Sequence, residues 1–313
     1  MAETKINGVA EIVTSLKVEE VSGNVRESVE VPLSFKLPEG AVLKEAYLDL
    51  TVSGVSQKWR VYIGDFSLTK EFKPVLQKEN GSEILSKFVF NVTPTKHVLL
   101  EEPVLRVVNT SSSAIKLLQS SLIIFYEYEG LGEAEYFYGI SLDPQKTMVG
   151  SLDAQRSGML YGVFKTSAPN KTKVKIGDCF KETVLGEVDE LVLECDKGGG
   201  YSIEPEKPVI PLTFIAGSYQ LNTPKIEISK GKYENGKLEI VVRNKGSKAD
   251  NVVLVIYSSG RILGRAELGE MDRGEEKSAA FEITADRNML GVNVRAIWVK
   301  AKLRDFTEKF IPL

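Results

Sequence analysis

The sequence predicts an all-β protein built from β-sandwiches, and two patterns support this fold class. Apolar and polar residues alternate along much of the chain, as in residues 28–37, where Val29, Val31, Leu33, Phe35 and Leu37 share one face of the predicted strand. Turn-forming residues recur about every eight to twelve positions, which is the spacing of short strands in sandwiches and barrels. At 313 residues the chain is long enough for several such cores.

Residues 1–128 are predicted to form the first, jelly-roll-like sandwich. About eight strands fit this length, which is the strand number of a jelly roll. Residues 66–84 are polar and include Pro74, Asn80 and Gly81, so we predict a long connection there. The predicted strands cover residues 9–18, 28–37, 46–52, 59–65, 88–93, 104–108 and 117–128.

Residues 129–223 are predicted to form a second, related sandwich. The sequence Arg-Val-Tyr-Ile-Gly-Asp at residues 60–65 returns as Lys-Val-Lys-Ile-Gly-Asp at residues 173–178, and both describe a strand that enters a Gly-Asp turn. The apolar runs that follow keep the same order, which favours a tandem duplication of one sandwich. The predicted strands cover residues 136–140, 158–164, 173–176, 190–194 and 212–216.

Residues 224–313 are predicted to form a third sandwich of immunoglobulin-like size. Asn235 and Gly236 stand between two apolar runs, and both accept positive φ, so we predict a hairpin turn there. A short helical pattern in residues 300–310 competes with a strand over residues 304–311, and we predict the strand. The other strands are predicted at residues 225–229, 237–242, 251–257, 261–265, 275–283 and 292–300.

Charge and hydropathy argue against two classes of partner. The net charge is -3, with 40 basic and 43 acidic residues, so we expect no basic face for nucleic acid. The apolar runs are shorter than a membrane-spanning helix requires, so we predict no membrane span. Residues 1–5 lack the pattern of a signal peptide, which leaves a cytoplasmic protein or one whose leader has been removed.

The sequence favours a protein without catalytic activity. Nucleophilic catalysis needs a base that titrates near neutral pH, and His97 is the single histidine. No nucleophile elbow, phosphate-binding loop or zinc-protease motif is present. Cys179 and Cys195 are two buried free thiols or a disulfide between neighbouring strands, and a zinc site would need further ligands.

Aromatic residues provide one candidate ligand site. Tyrosine and tryptophan combine a flat apolar ring with a polar group, which suits stacking against a sugar. Thr172 takes the place of Trp59 in the second copy of the repeat, so the fold does not require a large ring there and we expect Trp59 to be exposed. The candidates for a sugar-binding platform are Trp59, Tyr62, Tyr136, Tyr138 and Tyr201.

Asp65 and Asp178 are the carboxylates most open to a functional interpretation, because the repeat places them at equivalent turns. Each could contribute to a calcium site, since calcium binds carboxylate and carbonyl oxygens of loops. Each could instead stabilise its own turn through its side chain. We expect the structural role, and calcium is the one cofactor that stays a candidate.

Residues 224–313 resemble the CARDB family, the adhesion-related Ig-like modules of bacterial and archaeal surface proteins. The resemblance depends on residues 238–246, residues 252–257, residues 264–268 and the turn at residues 272–275. Pro224-Lys-Ile226 replaces the usual Pro-Asp-Leu of the family. Residues 46–50, 90–93 and 122–128 are similar to the sandwich regions that precede such modules in archaeal surface proteins.

The resemblance implies an extracellular or cell-surface protein that acts in adhesion or envelope assembly. Asn80, Asn109 and Asn170 begin Asn-x-Ser/Thr sequences, which would agree with a glycosylated surface. The scarcity of His and Cys beside many Lys and Glu fits a thermophile.

We therefore expect a non-enzymatic structural or adhesive protein of a cell envelope, filament or virion. Its partners would be other copies of itself or other surface proteins, joined through sandwich surfaces or through an added strand, for which residues 6–18 are the candidate. The alternative is a carbohydrate-binding protein with glycans as ligands and a site on the first sandwich.

Overall fold

The computed structural model shows an all-β protein of packed sandwiches, as predicted. It describes residues 2–7, 9–22, 28–35, 37–38, 40–54, 59–68, 73–80, 83–100, 103–128, 131–167, 169–258, 260–283, 289–301 and 303–313, and only the backbone of residues 2–7, 80 and 83. The chain divides into two compact units. Unit 1 comprises residues 1–37, 41–127 and 133–220, and unit 2 comprises residues 38–40, 128–132 and 221–313.

The first sandwich lies in unit 1. Strand β1 (Ala2–Asn7) belongs to the second sandwich. The elements of the first are β2 (Val9–Ser15), β3 (Glu19–Val21), β4 (Val29–Pro32), β5 (Val42–Ser53), β6 (Trp59–Ile63), β7 (Phe66–Ser67), β8 (Leu76–Asn80), β9 (Glu83–Asn91), a 3₁₀ turn (Thr93–Thr95), α1 (Lys96–Leu99), β10 (Val104–Asn109) and β11 (Ile115–Glu127). One sheet has the order β2-β11-β5-β9-β8, with β3 also on β11, and the other has the order β4-β10-β6-β7. This alternation between two sheets is the strand order of a jelly roll.

The second sandwich, also in unit 1, repeats that order. Its strands are β12 (Gly132–Ile140), β13 (Met148–Ser151), β14 (Ser157–Lys165), β15 (Asn170–Ile176), β16 (Cys179–Leu185), β17 (Val188–Cys195), β18 (Gly200–Pro205) and β19 (Ile210–Leu221). The sheets have the orders β1-β12-β19-β14-β17 and β13-β18-β15-β16. Strand β2 corresponds to β12 and β11 to β19, so the two sandwiches share one topology.

The two sandwiches pack against each other through their larger sheets. Sheet β2-β11-β5-β9-β8 and sheet β1-β12-β19-β14-β17 contribute buried side chains to a common layer. Unit 1 is therefore a stack of four sheets, in which the two middle sheets are covered on both faces. Strands buried on both faces have continuous apolar runs, which explains residues 122–126 of β11 and residues 214–216 of β19.

The repeated Gly-Asp sequences form equivalent two-residue hairpins. Ile63 pairs with Phe66 between β6 and β7, and Ile176 pairs with Cys179 between β15 and β16. The φ angles of Gly64 and Gly177 are 53° and 52°. A glycine with positive φ at the first central position is typical of a type II′ turn, whose twist matches that of the paired strands.

The N-terminal segment pairs within its own chain. Strand β2 lies antiparallel to β11 in the first sandwich, whereas β1 lies antiparallel to β12 in the second. The predicted connection at residues 66–84 was wrong in part, because β7 and β8 form there at sheet edges. The polar composition of β8 suits an edge strand that has one side open to water.

Unit 2 is an Ig-like sandwich, with seven strands among its described residues. They are β20 (Ile226–Glu234), β21 (Lys237–Asn244), β22 (Ala249–Ser258), β23 (Arg261–Met271), β24 (Glu276–Glu282), β25 (Gly291–Lys300) and β26 (Leu303–Pro312). The sheets have the orders β20-β21-β24 and β23-β22-β25-β26. Asn235 and Gly236 have φ angles of 50° and 80° in the β20–β21 hairpin, which confirms the predicted turn, and β26 confirms the C-terminal strand.

Candidate functional site

The predicted exposure of Trp59 was wrong. Its side chain is 4% exposed and belongs to the interior of the first sandwich. The indole packs edge-on against Phe88 with 5.0 Å between the ring centroids. Thr172 occupies the equivalent buried position of the second sandwich, so the ring fills volume that the second copy fills in another way.

The predicted aromatic residues do not form one surface of the molecule, and Tyr201 is half-buried on β18 of the second sandwich. Tyr136 and Tyr138 are 4% and 6% exposed, and both face the layer between the two sandwiches. Tyr62 is half-buried on a different sheet, where the guanidinium carbon of Arg106 lies 4.3 Å from its ring centroid. A sugar site built from these residues on the first sandwich is therefore excluded by their positions.

Asp65 and Asp178 lie exposed at the tips of separate hairpins. The duplication predicted their equivalence, and the structure places both at the second central position of a type II′ turn. The described residues contain no group of three His, Cys, Asp or Glu side chains that could hold a metal ion. A structural role in the turn agrees with these positions.

The two cysteines form a disulfide. Cys179 begins β16 and Cys195 ends β17, and their sulfur atoms are 2.03 Å apart. This cross-link joins one strand from each sheet at the rim of the second sandwich. His97 is exposed on α1.

Two predicted glycosylation sites were wrong, because their side chains are part of the interior. Asn109 is fully buried, and its amide donates to the carbonyl oxygens of Val21 and Ser113 at 3.0 and 2.7 Å. Asn170 is 1% exposed and donates to the carbonyl oxygen of Lys207 at 2.7 Å. The side chain of Asn80 lies outside the described part of the structure.

A buried polar cluster between the sandwiches was missed by the sequence reasoning. Lys87 of β9 and Asp49 of β5 are fully buried, and Lys87 Nζ lies 2.5 Å from Asp49 Oδ1. Lys87 Nζ also donates to Thr51 Oγ1, Gln119 Oε1 and Thr213 Oγ1 at 2.9, 3.0 and 3.0 Å. The ammonium group is thus surrounded by acceptors, as a buried charge requires.

The second sandwich completes this cluster. Tyr138 and Thr213 both donate to Asp49 Oδ2 at 2.7 Å. Burial lowers the pKa of Lys87, and the nearby Asp49 carboxylate opposes that shift. Burial is also the main cause that raises the pKa of Tyr138 well above its usual value, with the charge of Asp49 adding to it. Because the charged pair is closed off from solvent, its geometry suits a structural link between the sheets.

The sequence did contain a signal for this cluster. Asp49 and Thr51 alternate with Leu48, Leu50 and Val52, so both polar residues lie on the face opposite the first core. Alternation is usually interpreted as one buried and one solvated face. That interpretation fails here because a second sheet covers the polar face.

An open cleft lies at one edge of the second sandwich. Its volume is about 460 Å³, and it is lined mainly by side chains and glycines of β12, β13, β18 and β19. The chief lining residues are Phe137, Gly139, Met148, Gly150, Tyr201 and Phe214. A neighbouring depression of about 370 Å³ shares Phe137 and Ser151 with the cleft and is also lined by Glu135, Asp153, Arg156 and Ser218.

Phe137 shows why the cleft was missed. The prediction selected Tyr136 and Tyr138, yet successive residues of a strand point to opposite faces. Both tyrosines face the layer between the sandwiches, whereas Phe137 lines the cleft and is 39% exposed. The candidate strand was therefore right and the candidate face was wrong.

Comparisons with known proteins give no family for this chain. No family model matches it, and no curated protein matches it. Among solved structures, β-glucuronidase from Ruminococcus gnavus in complex with uronic deoxynojirimycin aligns with a TM-score of 0.24 and 9% identity. The alignment covers 58% of this chain and 36% of that chain.

Another structure of the same Ruminococcus gnavus β-glucuronidase gives a TM-score of 0.24 at 8% identity, with the same coverage of 58% and 36%. The chain thus spans about a third of the length of this enzyme. A TM-score at this level carries no argument about function. Within the described residues, none of the helices has the length and apolar character needed to cross a membrane.

Proposed function

We propose that the protein is a non-enzymatic structural or adhesive protein that acts outside the cell and assembles through one sheet of unit 2. The observation that carries this proposal is the outer face of sheet β23-β22-β25-β26. Ile262, Phe306 and Phe310 project from this face and are 72%, 50% and 54% exposed. Several exposed apolar side chains on one sheet face are typical of interaction sites.

The register of the strands brings these side chains into neighbouring rows. One row runs from Ile262 through Tyr257 and Asn293 to Phe310. Another row runs from Val253 through Ile297 to Phe306. Arg295 lies in the row between them, and its guanidinium carbon is 4.2 Å from the ring centroid of Phe306 and 5.4 Å from that of Tyr257.

The charges on this face favour a second copy of the chain as the partner. Arg295 pairs with Glu308 at 2.7 Å, and Arg265 pairs with Glu267 at 2.8 Å. Two basic and two acidic side chains therefore lie among the apolar ones, and Arg304 is exposed on the same face one row beyond Phe306. A face that carries both signs of charge can meet itself about a two-fold axis with basic groups against acidic groups.

Two further features support an extracellular role without catalysis. The disulfide between Cys179 and Cys195 is typical of proteins that mature in an oxidising compartment. The charged pair of Lys87 and Asp49 is fully buried and has its hydrogen-bonding partners within the protein. It supports the packing of sheets better than it supports chemistry on a substrate.

Light scattering coupled to size-exclusion chromatography tests the proposed assembly. We expect the wild-type protein to form dimers or larger species as its concentration rises, and the Phe306→Ser/Phe310→Ser variant to remain monomeric. The matched control is Phe66→Ser/Phe180→Ser, which removes two phenylalanines of unit 1 that are 47% and 59% exposed. A wild-type monomer at all concentrations, or equal dissociation of both variants, would contradict the proposal.

A further inference from the structure

The cleft of the second sandwich is lined by β12 of the larger sheet and by β13 at the edge of the facing sheet. Strand β12 is extended by β1 at one edge of the larger sheet, whereas the facing sheet ends at β13. Phe137 of β12 lines both the cleft and the neighbouring depression, Glu135 lines the depression, and Met148–Ser151 form the wall of the cleft beside them. Clefts at the mouths of β folds are common places for ligands.

Glycine and aromatic residues shape the inner end of this cleft. A Cβ atom on Gly150 would lie 2.4 Å from the hydroxyl oxygen of Tyr201, so the tyrosine ring packs directly on the glycine backbone. Tyr201 and Phe214 in turn have ring centroids 6.0 Å apart. Packing therefore holds the rings of Tyr201 and Phe214 in place at this end of the cleft.

Phe137 is the residue that favours a ligand with a flat apolar face. It is 39% exposed at the point where the cleft and the neighbouring depression meet. Its neighbours Tyr136 and Tyr138 are buried, so the backbone of β12 holds the phenyl ring in a defined direction. The carbon-hydrogen face of a sugar ring can stack on such a phenyl group.

The polar side of the depression offers donors and acceptors. Arg156 contacts Glu133 Oε2 at 3.1 Å and Asp153 Oδ2 at 3.4 Å. Ser218 Oγ accepts a hydrogen bond from the backbone N–H of Asp153 at 2.9 Å. Polar groups beside an aromatic ring can bind the hydroxyl groups of a sugar whose apolar face stacks on the ring.

The charges decide which sugars fit. Among the side chains that the structure describes, Glu133, Glu135 and Asp153 contribute negative charge to this region, whereas Arg156 contributes positive charge. The excess of carboxylates repels uronic and sialic acids and tolerates neutral or amino sugars. We propose that this cleft binds the end of a neutral or amino-sugar glycan, with Phe137 as the stacking residue and the Arg156 cluster as the hydrogen-bonding wall.

A glycan array followed by titration calorimetry with the best ligand tests this site. We expect wild-type protein to bind neutral or amino-sugar glycans and Phe137→Ala to weaken binding about tenfold or more, because a stacked ring contributes about 1.4 kcal/mol. Phe137→Leu keeps an apolar side chain without a flat face and should lose a similar factor. Thermal melting of each variant ensures that the comparison is made between folded proteins.

The matched control is Phe180→Ala, since Phe180 is 59% exposed on β16 of the same sandwich and lies outside the cleft. Glycan binding should be unchanged in this control and in the dimer-interface variant Phe306→Ser/Phe310→Ser. The experiment therefore distinguishes failure of the glycan proposal from failure of the dimer proposal. A wild-type protein that binds no glycan, or that prefers acidic glycans, overturns the proposal. Wild-type affinity in Phe137→Leu overturns it as well.

Discussion

The two sandwiches of unit 1 share their strand order and their Gly-Asp hairpin, yet they fill their interiors differently. The first packs Trp59 against Phe88. The second has Thr172 and Leu191 at the equivalent positions, and the ring of Phe164 occupies the space above Gly162. The second also carries the disulfide between Cys179 and Cys195.

This difference shows which parts of a duplicated fold are constrained. The alternation of strands between two sheets and the positive φ of the turn glycines are common to both copies. Interior volume can be filled by several combinations of residues, provided that the packing density is maintained. A missing ring in one copy therefore does not indicate exposure of the ring in the other.

The largest effect is expected at the layer that joins the two sandwiches. Lys87→Met should lower the free energy of unfolding by about 3–5 kcal/mol, because it leaves the Asp49 carboxylate buried without its cation. Urea unfolding monitored by circular dichroism measures the change. Adding Asp49→Leu to Lys87→Met should recover part of the loss, since the double variant removes the unpaired charge.

Lys44→Met is the matched control for Lys87→Met. Lys44 lies on the same sheet and pairs with Glu127 at 2.8 Å, but its side chain is 42% exposed. An exposed ion pair contributes less than about 1 kcal/mol. Equal losses in the two lysine variants would show that the buried cluster has no special role in joining the sandwiches.

A smaller effect is expected when the disulfide is removed. The cross-link closes a loop with a sequence separation of 16 residues, and Cys179→Ser/Cys195→Ser should cost about 3 kcal/mol. The loss should fall mainly on the second sandwich, because the first has no such bond among its described residues. Hydrogen exchange can locate it, with Val174 compared against Val61. Equal loss of protection at both valines would argue that unit 1 unfolds as one block.

The sequence predicted the fold class because alternation and turn residues are local signals. The hairpin at Asn235 and Gly236 and the repeated Gly-Asp turn follow directly from the φ angles that these residues accept. The stacking of the two jelly rolls was not predicted. It depends on which sheet face meets another sheet, and a polar residue such as Asp49 looks solvated until its partner Lys87 is known.

The candidate site was predicted less well than the fold, for the same physical reason. The sequence repeat correctly predicted that Asp65 and Asp178 occupy equivalent turns, because the repeat determines the backbone conformation of both hairpins. Phe137 could not be separated from Tyr136 and Tyr138, because alternation gives two faces without saying which one is open. The opening beside β12 depends on how four strands that are distant in sequence come together, because β12, β13, β18 and β19 all line it.

The smallest effect is expected at the Gly-Asp hairpins, where the two sandwiches are most alike. Asp65→Ala and Asp178→Ala should each change the free energy of unfolding by less than about 0.5 kcal/mol, because both side chains are exposed. The glycines beside them provide the contrast. Gly64→Ala and Gly177→Ala should each cost about 1–2 kcal/mol, since alanine at positive φ is strained.

Close contacts add to the cost at both glycines. A Cβ atom on Gly64 would lie 2.8 Å from Val98 Cγ1, and one on Gly177 would lie 2.9 Å from the carbonyl oxygen of Gly198. Thermal melting of the four single variants, with and without calcium, measures these differences. A calcium-dependent rise in Tm that both aspartate variants abolish would contradict a purely structural role. If Asp65→Ala and Asp178→Ala instead have equally small effects, the turn depends on its backbone conformation, because only its glycine is then sensitive to substitution.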